Sequence, residues 1–355
     1  MRNSLQKLLA YDKRNVRWIQ NLKKGHLMLL KLQLCLAVVF SSSFAFAWGP
    51  AGHEIVSSVG ATITRGQGSE FWIANADGMK TLSTVPDRVW KVPAIKEDEA
   101  PTHWFQADAY IPDLNQCADL LSFPRDYDTA VSKYGASVIL KNGTAPWRIL
   151  QFYKLAVSSL KMGDLKQGLE LAGAMSHYIG DLAMPLHVSE NYDGQLTGNR
   201  GLHAWFETKN IPDKQSTFDE VSKRAQALLS NSNFKAEVSG DLENVIMREV
   251  IRSLLKRDVI LKLDSKLGRN SKEAKRQQLE VAQDQMADGA ATLSVILDRL
   301  FLEAGVRINA SVIPIDDPSW VRPDFSGLRS ESHRFRQDLH EPSEHEADDC
   351  YQEAI

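Results

Sequence analysis

The chain has 355 residues with 43% hydrophobic and 25% charged side chains, enough apolar material for a sizeable core and too little bias for a low-complexity or collagen-like polymer. Its formal charge is −3, and −10 once residues 1–47 are set aside, which excludes an electrostatic trap for nucleic acid.

Residues 1–47 read as a leader. A basic stretch precedes the apolar run LLKLQLCLAVVFSSSFAFA, residues 29–47, which ends in the small-x-small pattern Ala45-Phe46-Ala47. Cleavage there leaves Trp48 first, and a start at Met28 gives a signal of ordinary length, so a secreted or periplasmic protein is expected. Lys31, Gln33 and the serines argue against a membrane anchor. Beyond the leader only Cys117 and Cys350 remain, and their pairing stays open.

Helical spacing dominates the rest. Residues 144–162 open with Thr144 as a predicted N-cap and Pro146 in the first turn, carry Ile149, Phe152, Leu155, Ala156 and Leu160 on one face, and stop near Gly163. Residues 166–184 read as a more buried helix, 203–209 as the start of another, and 218–231, 240–264 and 272–304 as longer ones. The last shows Val281, Met286, Ala290, Leu293, Ile296, Leu297 and Leu300 along a broad apolar face. Segments 83–102 and 106–143, rich in Pro, Asp, Gly and Asn, read as long loops. No sustained apolar/polar alternation appears. The expected fold is therefore all-α: a catalytic helical domain over 48–304 and a C-terminal extension over 305–355, acidic and partly disordered from about 337.

Five of the nine histidines, His53, His103, His177, His187 and His203, fall in the first half of the chain after the leader. His177 and Asp181 are four apart, which puts both on one helix face, and His203 and Glu207 repeat the spacing. Imidazole with carboxylate is a donor set suited to zinc, although such pairs can also do no more than brace a helix. The apolar setting of "HYIGDLAMPLH" (177–187) favours the metal, because uncompensated imidazole and carboxylate there are costly to bury. Asp87 in STVPDRVW and His103 in APTHWFQAD add donors from loop regions, and the freed amine and carbonyl of Trp48 could act with His53.

In this order, WGPAGH (48–53), Asp87, THWFQAD (His103), HYIGDLAMPLH (His177, Asp181, His187) and GLHAWFE (His203, Glu207) resemble the zinc-dependent phospholipase C / S1-P1 nuclease superfamily, over about residues 48–210. The resemblance implies a mainly helical fold with three zinc ions at the bottom of a cleft. It places one ion on Asp87, His103, His177 and Asp181, a second on His187, His203 and Glu207, and a third on Trp48, His53 and again Asp181. It further implies a zinc-bound water as nucleophile, with Asp87 orienting or deprotonating it.

Glu207 at the last ligand position, and SENYDGQLTGNR in place of a Gly-Gly-Asn segment, resemble the phospholipase C branch. The activity this implies is hydrolysis of phosphatidylcholine-like lipids at a membrane or micelle surface, with no protein partner inferred. Trp104, Phe105, Tyr110, Glu190 and Tyr192 are candidates for gripping a choline head group or for ordinary packing. Arg88, where that branch carries an aromatic residue, speaks against choline. The alternatives are an S1/P1-type single-strand nuclease or 3′-nucleotidase, with nucleic acid as partner, and an exported zinc-binding protein without catalysis.

Overall fold

The computed structural model describes residues 48–91, 96–211, 214–308 and 310–315. The leader and the acidic tail expected from the sequence, like Cys350, lie outside them. Within them the chain is all-α, with no strand among the described residues.

The N-terminal part contributes α1 (Gly49–Thr62), α2 (Ser69–Ala74), α3 (Ala76–Leu82), α4 (Val85–Arg88) and α5 (Lys96–Glu99). Three 3-10 segments follow, Ala100–His103, Ala107–Tyr110 and Leu114–Ser122, then α6 (Tyr127–Tyr134) and α7 (Ala136–Asn142). The expectation of long loops over 83–102 and 106–143 is thus corrected: both are built largely of helices too short to show an apolar period. α8 (Ala145–Lys161) and α9 (Leu165–Ala183) form a hairpin closed by Gly163 at φ 79°, and Asp164 caps α9 by accepting from Gln167 N at 3.0 Å. Next come α10 (Leu202–Ala204), the π-helical turn Trp205–Lys209, α11 (Lys214–Ser230), α12 (Ser232–Glu237), α13 (Leu242–Leu267) and α14 (Lys272–Ala304).

α14 is the central strut. Ser271 caps its start on Ala274 N, and its buried face carries Met286, Ala290, Leu293, Ile296, Leu297 and Leu300, as its spacing predicts, with Val281 only half-buried. A glycine on α1 lets that helix come close to this face: a Cβ on Gly60 would stand 2.6 Å from Leu293 Cδ2. Each fully buried Leu, Ile or Phe here contributes about 1.5–3 kcal/mol.

α8 begins where its Pro and Thr predict, but Thr144 does not cap through its side chain. Its hydroxyl turns to Pro101 O, 3.2 Å away, and Leu155 faces outward from the predicted apolar face. Residues 310–315 pack back along the first helices: Asn75 Nδ2 donates to Ser311 O, and Ile313 N to Asn75 Oδ1, at 2.7 and 2.6 Å. The effect of this packing is to leave α1, α4, α9 and the π-turn around one buried polar centre.

Candidate metal centre

The sequence places these donors by simple local rules. His53 lies one turn into α1, and His177 and Asp181 stand a turn apart on the wholly buried last half of α9. Met184, extended at φ −86° and ψ 117°, ends that helix before Pro185, and the following turn brings His187 back toward Asp181. Asp87 comes from α4 and His103 from the end of a 3-10 segment. His103 is tied to His187 by their backbones, since Phe105 N donates to His187 O and Ala107 N to Val188 O, both at 3.0 Å. Glu207 projects from the π-turn, a local distortion of the kind that often marks a functional position.

These side chains converge. His103 Nδ1 lies 3.1 Å from Asp181 Oδ2, 3.7 Å from Asp87 Oδ1 and 2.9 Å from His177 Nε2. His177 Nε2 is 3.3 Å from Asp181 Oδ2 and 3.6 Å from Asp87 Oδ1, while the other Asp181 oxygen is 3.5 Å from His53 Nε2. His187 Nε2 and His203 Nε2 are 3.2 Å apart, and Glu207 Oε2 is 3.0 Å from the latter. Three groups are close enough to hold an ion: His53, His177 and Asp181; Asp87, His103 and His177; His187, His203 and Glu207. Two ligands of one tetrahedral zinc ion, each about 2.0–2.1 Å from it, stand roughly 3.3 Å apart, and the observed spacings bracket that value.

Hydrogen bonding fixes which nitrogens face inward. His177 Nδ1 donates to Ser83 O (2.8 Å), His187 Nδ1 to His103 O (2.6 Å) and His203 Nδ1 to Tyr192 O (2.8 Å), so each Nε2 presents a lone pair to the centre. His187 Nε2, His203 Nε2 and Glu207 Oε2 are then three acceptors facing one another. Lone pairs at such distances repel unless a cation or a proton lies between them. Both His53 nitrogens, Asp181 Oδ1 and Glu207 Oε1 are buried without a hydrogen-bond partner, which marks the same deficit of positive charge. The residues present therefore fit a cluster of divalent cations.

Electrostatics agree for His53, His177 and His187, while for His103 burial is outweighed by the Asp181 and Glu99 carboxylates, which raise the imidazole. Burial drives His53, His177 and His187 well below the ordinary histidine range, toward the neutral form that ligates, aided by His177, His103 and His203 respectively. Burial likewise pushes the Asp181 carboxyl up to about 7. In Asp87 burial is outweighed by the Lys91 ammonium, 2.6 Å away, and the carboxyl stays below its usual range. In His203 the Glu207 carboxylate outweighs burial and raises the imidazole.

All nine residues singled out from the sequence stand here. Trp48, wholly buried with left-handed backbone at φ 46°, directs its main-chain N to Glu207 Oε2 at 3.0 Å, and its indole donates to Gly180 O. The aromatic candidates for a choline pocket fare differently. Phe105 is buried in the core and stacks on Tyr110, with Phe123, Tyr134 and Trp147 around them, and Trp104 donates its indole N–H to Lys141 O. Lys91 and Glu99 were not singled out. Lys91 follows Asp87 by four, and Glu99 precedes His103 by four, the spacing that identified the two helical pairs; a Pro-rich setting concealed it.

No protein-family model matches the chain. A probable serine protease of Bradyrhizobium tropiciagri is 34% identical over 102 residues, covering 24% of this chain and 13% of that protein, so the chain spans a small part of its length. Among solved structures, alpha-toxin of Clostridium perfringens strain SWCP is similar at TM-score 0.43 and 17% identity, covering 74% of this chain and 66% of the toxin. Alpha toxin of Clostridium absonum is similar at TM-score 0.44 and 14% identity, covering 73% and 66%. The chain thus spans just under two thirds of either toxin. What the site can hold follows from its own donor atoms.

Proposed function

We propose that the protein is an exported, zinc-dependent phospholipase C that hydrolyses phosphatidylcholine-like lipids to diacylglycerol and the phosphorylated head group. One observation carries it: eight buried His, Asp and Glu side chains converge in three groups, with acceptors facing acceptors. An imidazole-rich, thiolate-free N/O set suits zinc.

The holders would be Asp87, His103, His177 and Asp181; His187, His203 and Glu207; and Trp48, His53 and Asp181. Zinc held there supplies Lewis acidity, acidifying water near neutral pH and offsetting charge on the phosphoryl and leaving oxygens. The chain's own residues do the rest. His53, His177 and His187, held neutral by burial, offer lone pairs without competing protons, and the two Asp181 oxygens, one toward His53 and one toward His103 and His177, could serve two ions. Asp87, kept ionised by Lys91, can align a water or accept its proton. No serine or cysteine nucleophile is needed.

The lipid substrate rests on Glu207 at the last ligand position, on the absence of a Gly-Gly-Asn segment after His187, and on the net negative charge beyond residue 47. Export rests on the leader pattern. Among the described residues no helix is long and apolar enough to cross a membrane. The test is a side-by-side assay of zinc-loaded protein on phosphatidylcholine, other phospholipids and single-stranded DNA, with metal analysis. Release of diacylglycerol with about three zinc ions bound supports the proposal. A metal content near zero, or degraded DNA with untouched lipid, overturns it.

A further inference from the structure

We infer that Glu99, held by Tyr178, Thr102 and Arg148, is a positioning residue that orients His103 toward the metal and strengthens it as a ligand. The inference rests on the zinc reading above and goes beyond its ligand set.

The starting observation is an asymmetry among the histidines. His177, His187 and His203 each use Nδ1 to grip a main-chain carbonyl and turn Nε2 inward. His103 is reversed. Its Nδ1 faces Asp181, Asp87 and His177, so Nε2 points away from the centre and toward Glu99 Oε1, 3.6 Å off. No carbonyl partners that nitrogen, which is buried without a hydrogen bond. His103 also ends a four-residue 3-10 segment, which constrains it less than a long helix would. Something other than the local backbone must set the ring.

Glu99 is built for that task. It is wholly buried, and its Oε1 accepts from the Tyr178 hydroxyl and from Thr102 Oγ1 at 3.2 Å. Its Oε2 accepts from Arg148 Nη2 at 3.3 Å. Arg148 is itself wholly buried, lying 4.4 Å over the Phe152 ring and donating to Gln151 Oε1 at 2.7 Å. The carboxylate is thus held on several sides with one oxygen aimed at the imidazole. A buried ion pair of this kind adds little net stability over apolar residues of the same shape, so stability alone gives weak reason for it. A carboxylate behind a ligating imidazole fixes its tautomer and raises its basicity. Arg148 balances the charge, so Glu99 does so without adding net negative charge beside an already acidic centre.

The experiment titrates metal-free protein that begins at Trp48, wild type and Glu99→Gln, with Zn2+ alone and with Co2+ alone, while circular dichroism follows helix content. Wild type should take up ions at the three groups. Glu99→Gln should keep its helix content and bind one ion about 10–100-fold more weakly, with the others unchanged. In the Co2+ protein one hyperfine-shifted, exchangeable imidazole proton, that of His103 Nε2, should exchange faster with water. Unchanged affinity at every group overturns the inference, as does a uniform fall with helix content intact. Should Glu99→Gln fail to fold, Tyr178→Phe, which leaves the Glu99–Arg148 pair intact, must show a smaller loss confined to one ion, and wild-type behaviour from it overturns the inference. Wild type that binds neither ion refutes the zinc reading itself, an outcome distinct from a Glu99 variant that fills like wild type.

Discussion

Asp181 is asked to do something that a folded chain without metal resists. Its carboxyl is wholly buried and pushed from 3.8 up to about 7, with burial as the largest cause. A group whose folded pKa is raised contributes stability that is complete below its unfolded pKa and is lost as pH rises through its folded one. For Asp181 that window runs from about 4 to 7. Above it, keeping the carboxylate ionised in the empty site costs about 4 kcal/mol, at roughly 1.4 kcal/mol for each pKa unit. Asp181→Asn removes the charge while keeping the shape. Even half of that relief, about 2 kcal/mol, should raise the melting temperature by roughly 4 °C or more.

The assay is thermal melting of both proteins in chelator and in excess Zn2+, at pH 8 and near pH 4. In chelator at pH 8 the variant should melt higher, and near pH 4, where the wild-type carboxyl is protonated, the advantage should vanish. In Zn2+ the order should reverse, because bound metal stabilises only a chain that can hold it. A variant less stable than wild type in chelator at pH 8 would refute the idea that Asp181 carries a burden that metal relieves.

Other changes should separate the groups. His203→Ala should chiefly weaken the ion shared with His187 and Glu207, whereas Asp181→Asn should weaken two together; metal analysis of dialysed protein distinguishes them, and equal mild losses would contradict a bridging Asp181. Retaining one residue ahead of Trp48 should impair the group around His53, because the Trp48 nitrogen beside Glu207 would then be a peptide amide and not an amine. Gly180→Ala would set a Cβ 2.9 Å from His53 Nδ1, so His53 must shift. The expected cost is about 1–3 kcal/mol in melting experiments together with a weaker His53 ion, and an unchanged metal content would show that α1 yields freely.

How far the sequence could be read depended on the length scale of each signal. The long helices were legible because α9 and α14 repeat their apolar faces over many turns. The clustering of donors was legible because His177/Asp181 and His203/Glu207 keep helical spacing and because the ordered motifs around Trp48, Asp87 and His103 resemble those of a known superfamily. The short helices of residues 83–143 complete too few turns for a period to emerge. Phe105 and Tyr110 could not be assigned, since an aromatic beside a ligand in sequence can point either way, and these two pack into the core. Glu99 escaped notice for another reason: its role depends on Arg148 and Tyr178, distant in sequence and brought together by the packing of α8 on α9.

The carbonyls of Ser83, His103 and Tyr192 set three imidazoles, and a carbonyl belongs to every residue type. At positions 83 and 192 this support is therefore indifferent to which side chain is present and sensitive to the path of the chain. Relatives could differ at both positions and keep the centre, while deletion of one residue from the segment before His203 would carry the Tyr192 carbonyl away from its ring. At these two positions the centre depends on where the chain runs and not on which side chain it carries.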